Sequence, residues 1–391
     1  MVQQTYKDLL YTCNKCGFCL ESCPTYKQTL DETYSARGLL TLAEAVESSE
    51  LELTDVFRDR INSCIRCLAC ADKCPSGLLP FRLIQKAKEN LVTEKGMDMS
   101  KRVFCRSIVK NKWLMGRALK WGKTFGFLEG SVPKMAHNFQ RLVPQVMEVE
   151  KPKANVGFFV GCAINLWYPQ IGLASVRLLT EAGFNVTIPK KQKCCGVPVL
   201  SLGDAQAAKR LAADNLEAFE DVEVIVTACA SCGLMLKKDY KRFGAGNAFM
   251  NKVKDVTEFL AENIGDLRLK SKKNKSGKKK KITYHDPCHL NRGQDINKAP
   301  RKLLNSINGL ELVEVKNSEE CCGGGGTFRL FNQELAVKIA QGKINAARES
   351  KATVLSTSCP GCIMQFNDIF EQTGEGMPVK HVVELLADSL N

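Results

Sequence analysis

Residues 36–49 (ARGLLTLAEAVESS) and 79–92 set apolar side chains at helical spacing, so both are predicted as helices, with no convincing strand in the first hundred residues. Past residue 150 the pattern changes. Short apolar runs at 156–160, 186–188 and 222–227 alternate with helical periodicity over 170–182 and 204–219. The alternation returns in a second stretch, with runs at 282–285, 310–315 and 353–356 and helical patterns near 299–307 and 332–349. Strand–helix alternation predicts an α/β sheet, here formed twice. The text repeats as well: Gly161-Cys162-Ala163-Ile164-Asn165 aligns with Pro287-Cys288-His289-Leu290-Asn291, and Val256-Thr257-Glu258-Phe259-Leu260 with Val382-Val383-Glu384-Leu385-Leu386. Two copies are too few for a solenoid, so duplicated domains facing each other are expected.

Composition narrows the class. The chain has 391 residues, 44% hydrophobic and 25% charged, which suits two or three packed domains and excludes disorder, collagen and coiled coil. No run of 18 apolar residues occurs, so no transmembrane helix is expected. The opening MVQQTYKDLL lacks a basic stretch followed by an apolar one, so no secretory signal is expected and the setting is read as cytoplasmic.

The formal charge of +14 is concentrated in two segments. Residues 101–128 hold eight Lys/Arg and no acid, interleaved with Trp113, Leu114, Met115, Trp121, Phe125 and Phe127. They are read as amphipathic helices for an anionic membrane surface or a partner subunit, or as a solvated face over a small apolar core. Residues 270–281 hold eight lysines and read as a flexible, self-repelling linker. No helix-turn-helix or RNA-recognition signature accompanies the charge, so nucleic acid is not an expected partner.

The 19 cysteines carry the candidate chemistry. At this density in a reducing compartment they point to metal ligation rather than disulfides. Cys-x2-Cys-x2-Cys-x3-Cys-Pro occurs twice, as Cys13, Cys16, Cys19, Cys23 and as Cys64, Cys67, Cys70, Cys74. Three thiolates on a tight loop hold three corners of a cubane, and the fourth cysteine serves the other cluster. The predicted quartets are therefore Cys13, Cys16, Cys19, Cys74 and Cys64, Cys67, Cys70, Cys23. Zinc is the alternative, although it favours Cys-x2-Cys pairs set further apart.

Each repeat then offers five more cysteines: Cys162, Cys194, Cys195, Cys229 and Cys232 in the first, and Cys288, Cys321, Cys322, Cys359 and Cys362 in the second. Five thiolates exceed the corners of one cubane, and vicinal cysteines diverge enough to reach different irons of an open cluster. Gly196 and Gly323 would let the backbone approach sulfide closely. Zinc or redox disulfides are the alternatives. The glycines at 323–326 are not followed by Gly-Lys-Ser/Thr, so a phosphate loop is not indicated. His285, His289 and His381 read as strand-end and helix residues rather than ligands, and Cys105 as a semi-buried structural thiol.

The spacings Cys-x31-Cys-Cys-Gly-x32-Cys-x2-Cys and Cys-x32-Cys-Cys-Gly-x35-Cys-x2-Cys resemble the cysteine-rich CCG domain of heterodisulfide reductases. With the N-terminal motifs, essentially the whole chain resembles the glycolate oxidase iron–sulfur subunit type. It is also similar to the third subunit of anaerobic glycerol-3-phosphate dehydrogenase and to the membrane-type heterodisulfide reductase subunit. Cys16-Gly17-Phe18-Cys19, Cys23-Pro24-Thr25-Tyr26, Tyr284-His285-Asp286-Pro287-Cys288-His289 and Cys321-Cys322-Gly323-Gly324-Gly325-Gly326 favour the glycolate oxidase type. Ala230, where the second copy has Pro360, is a small departure that touches no ligand.

The resemblance implies an α + α/β fold class: an all-helical ferredoxin domain at 1–96 and a basic helical connector at 97–150, then CCG domains at 151–268 and 282–391 joined by a Lys-rich linker at 269–281. It implies two cubane [4Fe–4S] clusters and one or two non-cubane [4Fe–4S] clusters, held by the eighteen cysteines named. It further implies an oxidoreductase complex in which this chain is the iron–sulfur subunit. FAD would sit in a partner subunit that oxidises a 2-hydroxy acid such as glycolate or lactate, with quinone or an electron-carrier protein as acceptor and peripheral contact with the inner face of the cell membrane. No Gly-x-Gly-x-x-Gly fingerprint marks a flavin or nicotinamide site here, which agrees with organic chemistry housed elsewhere. The competing implication is a heterodisulfide reductase-type subunit that reduces a disulfide at the CCG clusters.

Overall fold

The computed structural model describes residues 5–110, 138–270, 279–374 and 376–391. Most of the predicted basic helix at 101–128 and most of the Lys-rich linker therefore lie outside the described residues. The chain forms two compact units. The first comprises residues 1–131, 198–207 and 321–341, and the second comprises 132–197, 208–320 and 342–391.

Every named element between residues 5 and 110 is a helix. Ala36–Glu47 starts where the Ser35 hydroxyl accepts from the Gly38 amide, and it buries Ala36, Leu39, Leu40 and Ala43 along one face. Pro80–Lys95 opens on proline, closes at Gly96, and packs Leu83, Ile84, Ala87 and Leu91 inward against the first helix. The two cysteine motifs are tied to this helical pair. Residues 198–207 and 321–341, which follow or begin with the vicinal cysteine pairs, join the same unit. Gln85 Nε2 donates to the Leu200 carbonyl at 2.7 Å, and the hydroxyls of Ser201 and Thr327 stand 2.8 Å apart.

The second unit holds two sheets. The first contains β1 (Val146–Met147), β2 (Asn155–Phe159), β3 (Asn185–Thr187), β4 (Val224–Thr227) and β5 (Val253–Asp255) in the order β1-β3-β2-β4-β5. The other contains β6 (Lys280–His285), β7 (Leu310–Leu312), β8 (Val354–Thr357) and β9 (Val379–His381) in the order β7-β6-β8-β9. All pairings are parallel except that of β1 with β3. Leaving out β1, the two orders coincide, which is the predicted duplication in three dimensions. Central strands β2, β4, β6 and β8 are buried on both faces over most of their length, as parallel strands covered by helices require.

Strands β5 and β9 have no counterpart in the hydrophobic pattern, because three residues beside a helix carry too little periodicity. They explain the second block of repeated text. Helices Val256–Glu262 and Val382–Ala387 each follow one of these strands, capped by Asp255 and His381 respectively. The His381 Nδ1 accepts from the Val383 amide at 3.2 Å, and burial pulls this imidazole down to about 4, so it stays neutral and able to accept.

Candidate metal centres

The two N-terminal motifs adopt one backbone conformation. Lys15 and Gly17 in the first, and Arg66 and Leu68 in the second, lie at matching positions and all have positive φ. The alternation wraps each loop around its thiols. One cavity is lined by Cys13, Cys16, Cys19 and Cys74, and a second by Cys23, Cys64 and Cys67, with Cys70 on the wall of both. The last cysteine of each motif thus stands with the first three of the other. Cys16 is exposed, whereas Cys67 and Cys70 are buried, so the first cavity opens nearer the surface.

Burial pushes the thiols of Cys19, Cys64 and Cys70 upward, the last of these well above its ordinary value. Burial thus favours the neutral thiols, and a cation bound among them favours the thiolates. Lys88 lies beside the second cavity, where its Nζ donates to the Cys64 carbonyl at 3.0 Å and burial pulls the ammonium down to about 8.

The five cysteines of the first repeat converge within the second unit, at the C-terminal ends of β2 and β4, where α/β sheets characteristically place their ligands. Cys162 follows β2, and its Sγ stands 3.7 Å from that of Cys194. Cys195 neighbours Cys194 and Cys232, and Cys232 in turn neighbours Cys229. The neighbouring thiols of Cys194 and Cys232 pull the Cys195 thiol below its ordinary value. Gly161 makes the approach possible: its φ is +69°, and a Cβ there would stand 3.0 Å from the Cys232 sulfur.

Two positioning residues carry no sequence signal. Asn215, on helix Ala205–Ala218, accepts from the Lys193 amide at 2.8 Å and donates to the Cys194 carbonyl at 3.0 Å. Tyr240 donates to the Cys195 carbonyl at 3.1 Å. Both sit far along the chain from the vicinal pair and match no motif.

In the second repeat, Cys288, Cys359 and Cys362 belong to the second unit, and Cys321 and Cys322 to the first. Cys288 opens the helix after β6, while Cys359 caps the helix after β8. Cys359 neighbours Cys229 of the other repeat and Cys362, and these thiols hold its own well below the ordinary value. The repeats also meet where His289 Nδ1 lies 3.0 Å from the Ser231 hydroxyl.

Gly323 has φ +81°, and its amide donates to Cys321 Sγ at 3.4 Å. A Cβ at this position would stand 2.6 Å from the Ala336 carbonyl. Gly323→Ala is therefore expected to cost about 2–3 kcal/mol from backbone strain and overlap together, seen as a lowered denaturant midpoint.

His285 ends β6 with its ring edge-on to Phe366 at 5.1 Å. Cys105 is more buried than the sequence suggests, 1% exposed, with its thiol pushed up to about 12 by burial. Helical packing around residues 99–110, invisible in a lone cysteine, accounts for the difference.

Residues 9–78 match the 4Fe-4S dicluster domain, and residues 156–237 and 282–367 each match the cysteine-rich domain. Across 98% of its length the chain is 32% identical to one subunit of the fumarate reductase (CoM/CoB) of Methanothermobacter marburgensis, covering 73% of that protein. The chain belongs to this family of iron–sulfur subunits. The iron–sulfur subunit is also 29% identical to the "Probable glycolate oxidase iron-sulfur subunit" of Bacillus subtilis, with 97% of this chain and 94% of that one aligned. It is 28% identical to one subunit of the dihydromethanophenazine:CoB–CoM heterodisulfide reductase of Methanosarcina barkeri, at the same coverage.

The donor set of the iron–sulfur subunit fits clusters. Two thiol-lined cavities share a wall, and five buried thiols meet at the strand ends of the first repeat. None of the helices in the described residues is long and apolar enough to cross a membrane.

Proposed function

We propose that this iron–sulfur subunit relays electrons between an FAD-containing 2-hydroxy-acid dehydrogenase subunit, of the glycolate or lactate type, and quinone or another acceptor. The observation that carries the reading is the pair of adjoining cysteine cavities with Cys70 on their common wall. In this reading Cys13, Cys16, Cys19 and Cys74 hold one cubane cluster, and Cys64, Cys67, Cys70 and Cys23 the other. The ten cysteines of the two repeats hold one or two non-cubane clusters. Such clusters, when bound, supply one-electron oxidation and reduction.

The chain's own residues position and insulate these sites. Exposed Cys16 gives a partner its shortest approach to the first site, and the buried Cys67 and Cys70 keep water from the second. Asn215 and Tyr240 hold the vicinal cysteines by their carbonyls. Residues 1–96 form the ferredoxin part, 151–268 and 282–391 the CCG parts, and 97–150 and 269–281 their connections. The complex is a hetero-oligomer, peripheral on the inner face of the cell membrane.

The convergence of five thiols at the strand ends favours a second reading, disulfide reduction at the CCG sites. One experiment separates the two. Anaerobically purified chain is expected to carry about 16 iron with four clusters, or about 12 with three. Once reduced with dithionite, it is expected to be reoxidised by a short-chain quinone but not by an organic disulfide. Reoxidation by the disulfide alone would replace relay with the second reading, and an iron-free, zinc-loaded chain would reject both.

A further inference from the structure

The first unit contains a cavity of about 330 Å³ that none of the proposed cluster sites uses. Cys64 lines both this cavity and the second cysteine cavity, and the wall brings together Arg60, Lys88, Lys101, Ser201 and Thr327. The volume is at the lower end of the range for small-molecule sites.

The wall carries more positive than negative charge, with Asp59 as its one carboxylate against three cations. Arg60 spends its donors on neutral oxygens, the Thr33 and Tyr34 hydroxyls, both at 2.9 Å, with Asp31 more distant at 3.9 Å. Lys101 is paired with Asp98 at 2.8 Å and lies over the Phe331 ring at 5.5 Å. Lys88 is the telling residue. It is 3% exposed, and its ammonium bonds to a carbonyl rather than a carboxylate. Among the described residues no acidic side chain forms an ion pair with it. A buried cation with no carboxylate partner is costly; a thiolate at Cys64 offsets part of that cost, and a polar cavity at the side of Lys88 is where a small anion offsets more of it. The remaining wall suits a ligand with more than charge to offer: the Ser201 and Thr327 hydroxyls, 2.8 Å apart, give and take hydrogen bonds. Leu202, Phe328 and Phe331 also line the cavity, but three cations and two hydroxyls on the rest of its wall favour a compact acid over a quinone with its hydrocarbon tail.

We propose that this cavity binds a small organic anion bearing carboxylate groups. Because Cys64 forms part of the wall, the bound charge lies beside the second cluster site and lowers the potential of a cluster held there. That last consequence rests on the cluster reading given above, whereas the binding itself does not.

The test uses the anaerobically purified holoprotein in two arms. In calorimetry with succinate, malate and inorganic phosphate as probes, saturable one-site binding of at least one carboxylate is expected. Lys101→Gln is expected to weaken it tenfold or more, and Lys101→Arg to restore it. Arg60→Gln is expected to act in the same direction. Should that variant fail to fold, Lys101→Gln decides alone, with its iron content and melting temperature compared with the parent's. Absence of saturable carboxylate binding, phosphate binding as tight as either carboxylate, or binding unchanged in Lys101→Gln would overturn the proposal. In a redox titration followed by electron paramagnetic resonance, the carboxylate is expected to lower the potential of one cubane signal. If iron analysis finds no clusters, the relay reading fails while the calorimetric arm still decides on the anion site.

Discussion

Cys74→Ser is expected to abolish the cluster site built on the first motif, although Cys74 lies in the second. Iron content should fall by about four per chain, and the cubane signal that disappears should be the one lost in Cys13→Ser. Cys23→Ser should in turn remove the signal lost in Cys64→Ser. The reason is geometric: Cys74 lines one cavity with Cys13, Cys16 and Cys19, while Cys23 lines the other with Cys64 and Cys67. Iron analysis combined with electron paramagnetic resonance of the reduced variants reads the result. If Cys74→Ser and Cys64→Ser silence the same signal, ligation is not crossed. The effect on stability should also be large, since a cluster's binding free energy contributes directly to the folding of the residues that hold it.

Arg301→Ala is expected to be the most damaging substitution that touches no cysteine. Arg301 clamps Asp286 with two hydrogen bonds, at 2.7 and 2.8 Å, and reaches Glu314 at 2.7 Å. Asp286 has a side chain only 4% exposed and stands two residues before Cys288. Removing the guanidinium strands a buried carboxylate, which costs about 3–5 kcal/mol.

The pH dependence follows from the same pair. Burial raises the Asp286 pKa, but the hydrogen bonds and charge of Arg301 outweigh it and hold the carboxyl below its ordinary value. In the parent, this contribution is present above the unfolded carboxyl pKa of about 3.9 and is lost as pH falls through the folded value. In Arg301→Ala burial is opposed only by the weaker effects of Ser318 and His285, and the carboxyl moves upward. The penalty is then full at neutral pH and shrinks as acid protonates Asp286. Chemical denaturation at pH 7 and pH 5 checks this: a gap between parent and variant that fails to narrow at pH 5 would refute the account.

The candidate chemistry was largely legible along the chain because thiol ligation leaves a local signature. Three cysteines on one tight loop must be close in sequence, and the vicinal pair with its glycine is equally local. The duplicated sheet was legible too, since buried parallel strands read as short apolar runs between helical patterns. Strands β5 and β9 were not, being three residues each, and neither were Asn215 and Tyr240. Those two reach the vicinal cysteines through hydrogen bonds to backbone carbonyls, and any polar residue at the right place in space serves for that.

Residue order alone singled out the candidate ligands and the repeated α/β unit, because cysteine motifs and strand–helix alternation are both local patterns. Tertiary structure decided what lies next to what. It drew residues 198–207 and 321–341 into the helical unit, where Ser201 meets Thr327 and Gln85 holds Leu200. It buried Lys88 beside Cys64 without a carboxylate partner, and so created a cavity whose walls come from distant stretches of chain. No spacing rule encodes such a cavity, since its charge balance exists only after those segments have excluded water from between them.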